Sequence, residues 1–200
     1  KTLCDIFFSL TVIIIGSPLF LIIAILIKFS SRGPIFYYHQ RLGKNSKLFY
    51  CIKFRTMHPE ADDILENLIE KNEKVKIEFE KTHKLRNDPR ITRIGKFLRK
   101  TSLDELPQFL NVIKLDMSVI GPRPIVEKEI EKYGIKIKKV LSIRPGITGL
   151  WQVSGRNNLS YKKRIYLDSL YVESFNFLMD LRIIIRTFGV LLFPMDRGAF

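Results

Sequence analysis

The chain opens with one long apolar segment and continues with shorter patterns. Residues 6–27 form a run of 22 residues without a charge, of which 16 are Leu, Ile, Phe or Val. As a straight helix this run is about 33 Å long, enough to cross the hydrocarbon of a bilayer. It is longer than the apolar part of a signal peptide, and no small-x-small cleavage site follows it. The pattern therefore favours a membrane helix over a cleaved signal peptide or a buried core helix.

A break lies in the middle of this run, at Gly16-Ser17-Pro18. Proline has no N–H, so Pro18 leaves the carbonyl of Ile14 without its helical partner. In lipid that carbonyl needs another donor, which the Ser17 hydroxyl can supply. A kinked helix that crosses the membrane and a re-entrant hairpin that dips in and returns both fit this pattern.

The rest of the chain predicts a β-hairpin followed by helices. Residues 35–41 and 48–55 are aromatic and β-branched and flank the turn sequence Gly43-Lys44-Asn45-Ser46, which is typical of a hairpin. Residues 61–84 are charged with a partial apolar stripe, which indicates one solvent-facing helix or two short ones. Further helices are predicted at residues 92–100, 104–115, 125–141 with a break near Gly134, 161–173 and 177–193, with a glycine-punctuated loop at 143–158.

The last predicted helix, residues 177–193, is apolar on most of its surface. Its only charges are Asp180, Arg182 and Arg186. A helix that lies in the membrane interface with its charges towards the headgroups has this composition. A helix buried in the core accounts for it equally well.

The charge of the chain supports a membrane surface. The 200 residues, enough for one domain, carry 34 Lys and Arg against 20 Asp and Glu, a net charge of +14. Lys28 and Arg32 follow the apolar run and place that end in the cytoplasm. Anionic lipid of the inner leaflet then contributes about 1 kcal/mol of attraction per well-placed Lys or Arg. Nucleic-acid binding ranks lower, because no recognition-helix or RNP-like pattern accompanies the charge.

Cysteine and histidine usage excludes two classes of protein. Cys4 and Cys51 are the two cysteines and form no disulfide framework, so a disulfide-stapled secreted domain is excluded. The three histidines are dispersed, which argues against a zinc enzyme.

An Asp-Glu pair marks a candidate site. Proline is tolerated only in the first turn of a helix, so Pro107 puts Asp104 and Glu105 at or just before a helix start. Free N–H groups and the helix dipole favour anions there, so a carboxylate stays ionised and could be a nucleophile or a metal ligand. The alternative is structural: Asp104 is an N-cap, or Ser102 caps the helix and Glu105 closes a capping box.

Three arginines downstream sit in rigid glycine and proline frames. They are Arg123 between two prolines, Arg144 in an Arg-Pro-Gly turn and Arg156 after Gly155. Arginine binds phosphate oxygens in a bidentate manner, and a stiff backbone holds it in position. With the acidic pair nearby, the set suggests a polyphosphate substrate and a divalent metal that bridges to it.

The ordered series of motifs resembles the bacterial sugar transferase family, the monotopic phosphoglycosyl transferases. The matching stretches are Ser17-Pro18, Lys53-Phe54-Arg55-Thr56-Met57, Asp88-Pro89-Arg90-Ile91-Thr92-Arg93-Ile94-Gly95, Arg99, Thr101-Ser102-Leu103-Asp104-Glu105-Leu106-Pro107-Gln108, Asp116-Met117-Ser118, Gly121-Pro122-Arg123-Pro124, Arg144-Pro145-Gly146-Ile147-Thr148-Gly149, Gly155-Arg156-Asn157 and Asp168. No single motif is decisive, but their order along the chain is specific.

The resemblance implies a reaction. A UDP-sugar gives its sugar-1-phosphate to polyprenol (undecaprenyl) phosphate and UMP is released, as the first membrane step of surface glycan synthesis. Asp104 is implied as the nucleophile that forms a phosphosugar-aspartate and as the ligand of Mg²⁺, with Glu105 as its acid/base or metal-orienting partner. The implied substrate-binding residues are Lys53, Arg99, Arg123, Arg144, Arg156 and Asp168.

The resemblance also implies an architecture, of class α+β. A re-entrant membrane helix at residues 1–32, kinked at Ser17-Pro18, precedes a cytoplasmic catalytic domain at residues 33–200. The domain lies on the cytoplasmic face of the bacterial inner membrane, with a β-hairpin and interfacial amphipathic helices. Both ends of the membrane helix are then cytoplasmic. A homodimer is left open.

The chain departs from the family pattern in three ways. Leu115 stands where the family usually has glycine, so we expect a different backbone at the exit of the Asp-Glu helix. The insertion at residues 62–87 and the ending at 197–200 resemble hexose-1-phosphate transferases, which favours UDP-galactose or UDP-glucose. The chain begins at Lys1 without a methionine, which fits the catalytic part of a larger member that carries an extra N-terminal membrane domain, or a small member whose first residues are missing.

Two other functions compete with this hypothesis. A membrane-anchored basic scaffold explains the charge and the apolar run. It does not explain the acidic pair together with arginines that neighbouring glycine and proline residues hold in position. A Leloir-type glycosyltransferase would release UDP and leave no phosphosugar on the protein.

Overall fold

A computed structural model describes residues 1–82, 85, 87–155 and 158–192. Within them the chain forms ten α-helices and four short strands, joined by short 3₁₀ turns. The first part contains α1 (Thr2–Ser30), β1 (Phe36–Leu42), β2 (Leu48–Phe54), α2 (Ala61–Lys71), α3 (Glu73–Thr82), α4 (Arg93–Thr101), α5 (Gln108–Ile113) and β3 (Ser118–Ile120). The second contains α6 (Ile130–Tyr133), α7 (Ile137–Val140), β4 (Gly146–Thr148), α8 (Leu150–Val153), α9 (Tyr161–Ser174) and α10 (Phe177–Leu192). The predicted mainly helical α+β class is confirmed.

Helix α1 accommodates the proline in its middle. It is one helix of 29 residues with Pro18 inside it. The Ser17 hydroxyl donates to the Ile14 carbonyl at 2.9 Å, which confirms the predicted partner of that oxygen. By length and composition α1 could cross a membrane.

Both halves of α1 pack on the rest of the protein through the same side of the helix. Its buried residues come from both halves and recur at helical spacing: Asp5, Ser9, Ile23 and Ile27. The opposite side is apolar and exposed, as at Phe7, Ile15 and Phe29, which are 74%, 75% and 87% exposed. The helix therefore lies against the body and presents a second apolar face outward.

Polar contacts fix both ends of α1 to the body. Near its start, the Ser118 hydroxyl donates to the Asp5 carboxylate at 2.7 Å. At its end, the Arg55 guanidinium donates to the carbonyls of Ser31 at 2.8 Å and Arg32 at 2.9 Å. Arg55 therefore caps carbonyls that the end of the helix leaves without helical partners.

Strands β1 and β2 form the predicted hairpin. They pair antiparallel around the turn at Lys44–Ser46, with Tyr37 opposite Lys53 and His39 opposite Cys51. Because alternate residues of a strand point to the same face, Tyr37, His39, Lys53 and Cys51 share one face of the hairpin. That face also carries Arg41, two residues after His39.

The charged insertion forms the predicted pair of short helices, α2 and α3, which pack on each other. The guanidinium of Arg90 lies 5.4 Å from the ring centre of Phe79 in α3. Arg90 in turn donates twice to the Asp88 carboxylate, at 2.8 and 2.7 Å. The short loop before α4 thus holds the second helix of the pair.

The core is built between the hairpin and the last helices. Its largest cluster joins β2, α5, β3, α8, α9 and α10. Strands β3 and β4 pair in parallel, and β4 and α8 fall inside the stretch that the sequence predicted to be a loop. Ile183 of α10 is 1% exposed whereas Phe177 is 79% exposed, so α10 is both a core helix and an apolar surface.

The exit of α5 has, with a leucine, a backbone conformation that glycine favours, which gives no support to the expected change of backbone at Leu115. Leu115 has φ 65, in the left-handed region that favours glycine. Its N–H donates to the Val112 carbonyl at 3.0 Å, so α5 ends in a glycine-type turn with a leucine in it. That conformation costs roughly 1–2 kcal/mol for a residue with a side chain.

Candidate active site

The Asp-Glu pair lies in a single 3₁₀ turn, Leu103–Glu105, between α4 and α5. Ser102, before it, has φ 57 and ends α4, and its side chain makes no capping bond to this turn. Pro107 is the N-cap of α5. The pair therefore precedes the helix as predicted, while the alternative in which Ser102 or Asp104 caps the start of α5 is wrong.

An ion pair joins this turn to the hairpin. The ammonium of Lys53, on β2, lies 2.5 Å from a carboxylate oxygen of Glu105. Burial acts to lower the pKa of Lys53, but the Glu105 and Asp104 carboxylates outweigh it and the pKa lies above its usual value. Lys53 is therefore a permanent cation at the site.

Asp104 is a half-buried carboxylate beside two cations. Burial raises its pKa to about 6, and the charge of Glu105 adds to this, while Lys53 and Arg99 act in the opposite direction. At neutral pH the carboxylate is still mostly ionised. An anion that is incompletely solvated and faces cations is suited to attack a phosphorus centre.

Arg99 approaches the pair from the last turn of α4. Its Nε donates to the Thr56 hydroxyl at 2.9 Å, and its charge interacts with Asp104 and Asp88. The helix is held in place by Thr92, whose hydroxyl accepts the Gly95 N–H at 2.9 Å as an N-cap. Lys53 and Arg99 are thus brought to Asp104 from different elements.

A second cluster forms around Arg123 and Asp168. The Asp168 carboxylate is 1% exposed and accepts from the Tyr133 hydroxyl at 3.1 Å and from the backbone N–H of Arg123. Burial raises its pKa to about 7. The Arg123 guanidinium lies 5.7 Å from the centre of the Trp151 ring. Asp168 therefore lies beneath Arg123 and holds its backbone.

The remaining two arginines lie elsewhere. Arg144 donates to the Thr2 hydroxyl at 3.3 Å, at the beginning of α1. Leu103 and Leu106, which flank the acidic pair, belong instead to the cluster on the second half of α1. Arg156 falls outside the described residues.

Sequence reasoning missed several residues of the two clusters. Arg41, Trp151, Arg164 and Tyr133 surround Arg123, and Thr56 orients Arg99. The sequence did contain signals for two of them. Arg164 stands four residues before Asp168, on the same face of α9, and Arg41 stands two residues after His39, on the same face of β1. Trp151 lies in the stretch taken for a loop and carried no periodic signal.

Comparisons with known proteins show the family to which the chain belongs. The family model described as bacterial sugar transferase matches residues 1–194. The exopolysaccharide production protein ExoY of Rhizobium meliloti is 45% identical over 98% of this chain and 86% of its own length. The undecaprenyl-phosphate galactose phosphotransferase of Salmonella typhimurium is 46% identical over 96% of this chain and 40% of its own length.

A further relative is the UDP-glucose:undecaprenyl-phosphate glucose-1-phosphate transferase of Klebsiella pneumoniae. The two proteins are 38% identical over 94% of this chain, and the matched part is 39% of the length of the Klebsiella protein. The match to the family model covers the hairpin, the Asp-Glu turn and the Arg123 cluster together. The chain therefore belongs to the bacterial sugar transferase family and is an enzyme.

Proposed function

We propose that the enzyme transfers the sugar-1-phosphate of UDP-galactose or UDP-glucose to undecaprenyl phosphate and releases UMP. The observation that carries this proposal is the Asp104 carboxylate, half-buried beside the cations Lys53 and Arg99. The names of the Salmonella and Klebsiella relatives support the lipid acceptor and the two hexoses.

In the first step an oxygen of Asp104 attacks the phosphorus that carries the sugar. A bond forms between that oxygen and phosphorus, and the bond from phosphorus to the bridging oxygen breaks, so that UMP leaves with the electron pair. Lys53 and Arg99 stabilise the negative charge that develops on the phosphoryl oxygens. Glu105 holds Lys53 in position through the ion pair of 2.5 Å.

In the second step an oxygen of undecaprenyl phosphate attacks the same phosphorus. The bond to Asp104 breaks, which restores the carboxylate and yields the lipid diphosphate sugar. Two steps allow the water-soluble and the lipid substrate to use the site in turn.

The donor atoms at the acidic pair fit magnesium. Magnesium in proteins commonly takes one or two carboxylates and completes its shell with substrate phosphates and water. Within the described part of the chain no group of three or more His, Cys, Asp or Glu converges, so the diphosphate would have to supply further ligands. Asp104 would hold the ion, which when bound neutralises phosphate charge.

We further propose that α1 enters the membrane from the cytoplasmic face and returns to it. This rests on the buried stripe that includes residues of both halves of the helix, and on the contacts of Asp5 and Arg55 at its two ends. A helix that crossed the bilayer would carry one of these ends away from the body. The exposed apolar face of α1 then meets lipid.

Replacement of the nucleophile tests the proposed reaction. We expect Asp104→Asn to reduce UMP release by at least a thousandfold, because the amide cannot form the covalent intermediate. Detergent-solubilised protein would be incubated with undecaprenyl phosphate, magnesium and each UDP-sugar, and the nucleotide product identified. Intact mass of wild-type protein given UDP-sugar alone should increase by one hexose phosphate.

Asp63→Asn is the matched control, because Asp63 is exposed on α2 and far along the chain from the acidic pair. It should retain wild-type turnover and the mass increase. Wild-type turnover by Asp104→Asn would remove the nucleophile assignment. Release of UDP in place of UMP would instead indicate direct glycosyl transfer.

A further inference from the structure

Three arginines, Arg41, Arg123 and Arg164, come together near the Trp151 ring and the carboxylates of Glu129 and Asp168. An Arg41 nitrogen lies 3.9 Å from a Glu129 oxygen. The Arg123 and Arg164 guanidinium groups lie 5.7 and 4.6 Å from the centre of the Trp151 ring. Arg123, Arg164, Trp151 and Glu129 line a cavity together with Asp168, whereas Arg41 lies outside its lining. We call Arg41, Arg123, Arg164 and Trp151 the arginine pocket.

The acids near the arginine pocket do not balance its cations. Burial lowers the pKa of Arg41 and of Arg164, and in both the charge of Arg123 lowers it further. Of the two neighbouring acids, Asp168 has a pKa raised to about 7 by burial and is only partly ionised at neutral pH. The pocket therefore carries a net positive charge, and cations held this close together are stabilised by an anion.

One of the residues that line this cavity carries a buried donor. Trp151 is 6% exposed, and its indole Nε1 has no hydrogen-bond partner among the described residues. The indole nitrogen is a donor only, so an oxygen that accepts is its natural partner. The cavity has a volume of about 10 Å³, which is room for one water-sized group. One phosphoryl oxygen fits it, and a nucleobase does not.

The arginine pocket and the nucleophile site are neighbours across the hairpin face. His39 interacts electrostatically with Arg41, Lys53 and Arg123, and its pKa is lowered to about 4, mainly by burial and then by these cations. Cys51, opposite His39, interacts with Lys53 and Glu105 on one side and with Arg41 and Arg123 on the other. Both groups of cations therefore act on the same two hairpin residues, His39 and Cys51, and border one region of the hairpin face.

We propose that Arg41, Arg123, Arg164 and the Trp151 indole N–H bind the nucleoside-side phosphate of the donor, the group that leaves as nucleoside monophosphate. This rests on the proposed function, in which the sugar-bearing phosphate faces Asp104. It assigns three further binding residues, Arg41, Arg164 and Trp151, and divides the diphosphate between two cationic sites. The phosphate of the lipid acceptor has the same chemistry, and the experiment separates the two.

Direct binding of UMP, measured by calorimetry in an Asp104→Asn background, tests the pocket without turnover. Arg41→Gln and Arg164→Gln should each weaken UMP at least tenfold, because each removes charge-assisted hydrogen bonds. Trp151→Phe keeps an aromatic ring beside the arginines but removes the N–H together with the second ring of the indole, and should weaken UMP binding about tenfold. Lys163→Gln is the charge-matched control; its ammonium lies over the Tyr166 ring and does not line the cavity, so UMP binding should not change.

The second half-reaction identifies the source of the phosphate. Protein that carries the phosphosugar would be mixed with undecaprenyl phosphate, and the rate of lipid product formation compared between wild type and Arg164→Gln. Equal rates of lipid product formation, together with weakened UMP binding, support the proposal. Unchanged UMP binding with slowed transfer to lipid overturns it and assigns the pocket to the acceptor. Unchanged UMP binding with a lower melting temperature alone also overturns it, since the arginines would then be structural.

The same design separates this proposal from the proposed function. Weakened UMP binding in the arginine-pocket variants, with no hexose-phosphate mass increase on wild-type protein, would keep the pocket and remove the covalent mechanism. A mass increase on wild-type protein with unaltered UMP binding in the variants would keep the covalent mechanism and remove the assignment of the arginine pocket.

Discussion

Two carboxylates of the site have raised pKa values, but their surroundings differ. Asp104 faces cations and is half-buried, with a pKa of about 6. Asp168 is fully buried, and its carboxylate accepts hydrogen bonds from the Tyr133 hydroxyl and the Arg123 backbone N–H. The Asp104 carboxylate is therefore accessible beside its cations, whereas the Asp168 carboxylate is taken up in holding the backbone of Arg123.

The buried Asp168 predicts a dependence of stability on pH. Its folded-state pKa of about 7 lies above its ordinary value of 3.8, so the folded protein holds the proton more tightly than the unfolded chain. Its contribution to the free energy of unfolding should fall as the pH rises from about 4 to 7, by up to about 4 kcal/mol, and stay constant above.

Melting temperatures of wild type and Asp168→Asn in detergent, measured from pH 5 to 8, check this. The asparagine has no charge to lose, so the variant should gain stability relative to wild type as the pH rises. Asp63→Asn, at an exposed position, should follow wild type throughout. Parallel curves for wild type and Asp168→Asn would show that Asp168 does not titrate in this range.

At the scale of the element, α4 approaches the chain after β2 so closely that only glycine fits. A methyl group on Gly95 would overlap the backbone oxygen of Thr56. We expect Gly95→Ala to lower the free energy of unfolding by about 1–3 kcal/mol, the usual range for overpacking. Activity should fall too, because α4 carries Arg99 to the site. Thermal unfolding and UMP release measure the two effects.

Gly189→Ala is the control for this variant. Gly189 lies within α10 and a methyl group there meets no atom within 4 Å. Alanine is the better helix former by about 1 kcal/mol, so this variant should be as stable as wild type or slightly more stable. Equal melting temperatures for the two glycine variants would contradict the close approach.

The free edge of β2 is completed by a side chain. Asn111 of α5 is 1% exposed; its Oδ1 accepts the Ile52 N–H at 2.9 Å and its Nδ2 donates to the Tyr50 carbonyl at 2.8 Å. Asn111→Leu leaves both backbone groups without partners, and we expect a loss of about 2–4 kcal/mol. Asn67→Leu, whose amide bonds only within exposed α2, should lose little. Amide exchange at Ile52 should accelerate only in the first variant.

Elements with a long or strongly periodic pattern were predictable, and contacts between them were not. The hairpin, α4, α9 and α10 follow from alternation, helical spacing and caps. Strand β4 and helix α8 have three and four residues, too few for either period to be visible, and they form because β3 pairs with Gly146–Thr148. Of the site, the acidic pair and Lys53 came from motifs, whereas Arg41, Arg164 and Trp151 meet only through the fold.

At the scale of the molecule, two exposed apolar faces lie next to each other. The ammonium of Lys1, at the start of α1, is 2.6 Å from a carboxylate oxygen of Asp180 in α10. Beside it, Phe177 and Leu178 of α10 are 79% and 63% exposed. The first turns of α1 and α10 therefore present exposed apolar side chains next to each other, which a lipid interface would cover.

The native cysteines allow the position of α1 to be measured. Cys4 is exposed near the start of α1, whereas Cys51 is buried. If both ends of the helix face the cytoplasm, a membrane-impermeant maleimide should label Cys4 in inverted vesicles, and should also label Ser31→Cys in a Cys4→Ser background. Neither should react in right-side-out vesicles. Labelling of the two positions from opposite sides would establish a crossing helix and remove the re-entrant arrangement.

The hydrogen bond between Asp5 and Ser118 can form only after both residues have been synthesised. The two residues are 113 positions apart in the chain. At ribosomal rates, Ser118 is made on the order of ten seconds after Asp5. During that interval the first half of α1 presents a carboxylate that the protein has not yet covered, and such a group disfavours the hydrocarbon. Asp5 precedes the uncharged run of residues 6–27, so that run can enter lipid early, whereas the start of α1 gains its buried partner only once the body has been synthesised. The final position of α1 therefore depends on folding as well as on membrane insertion.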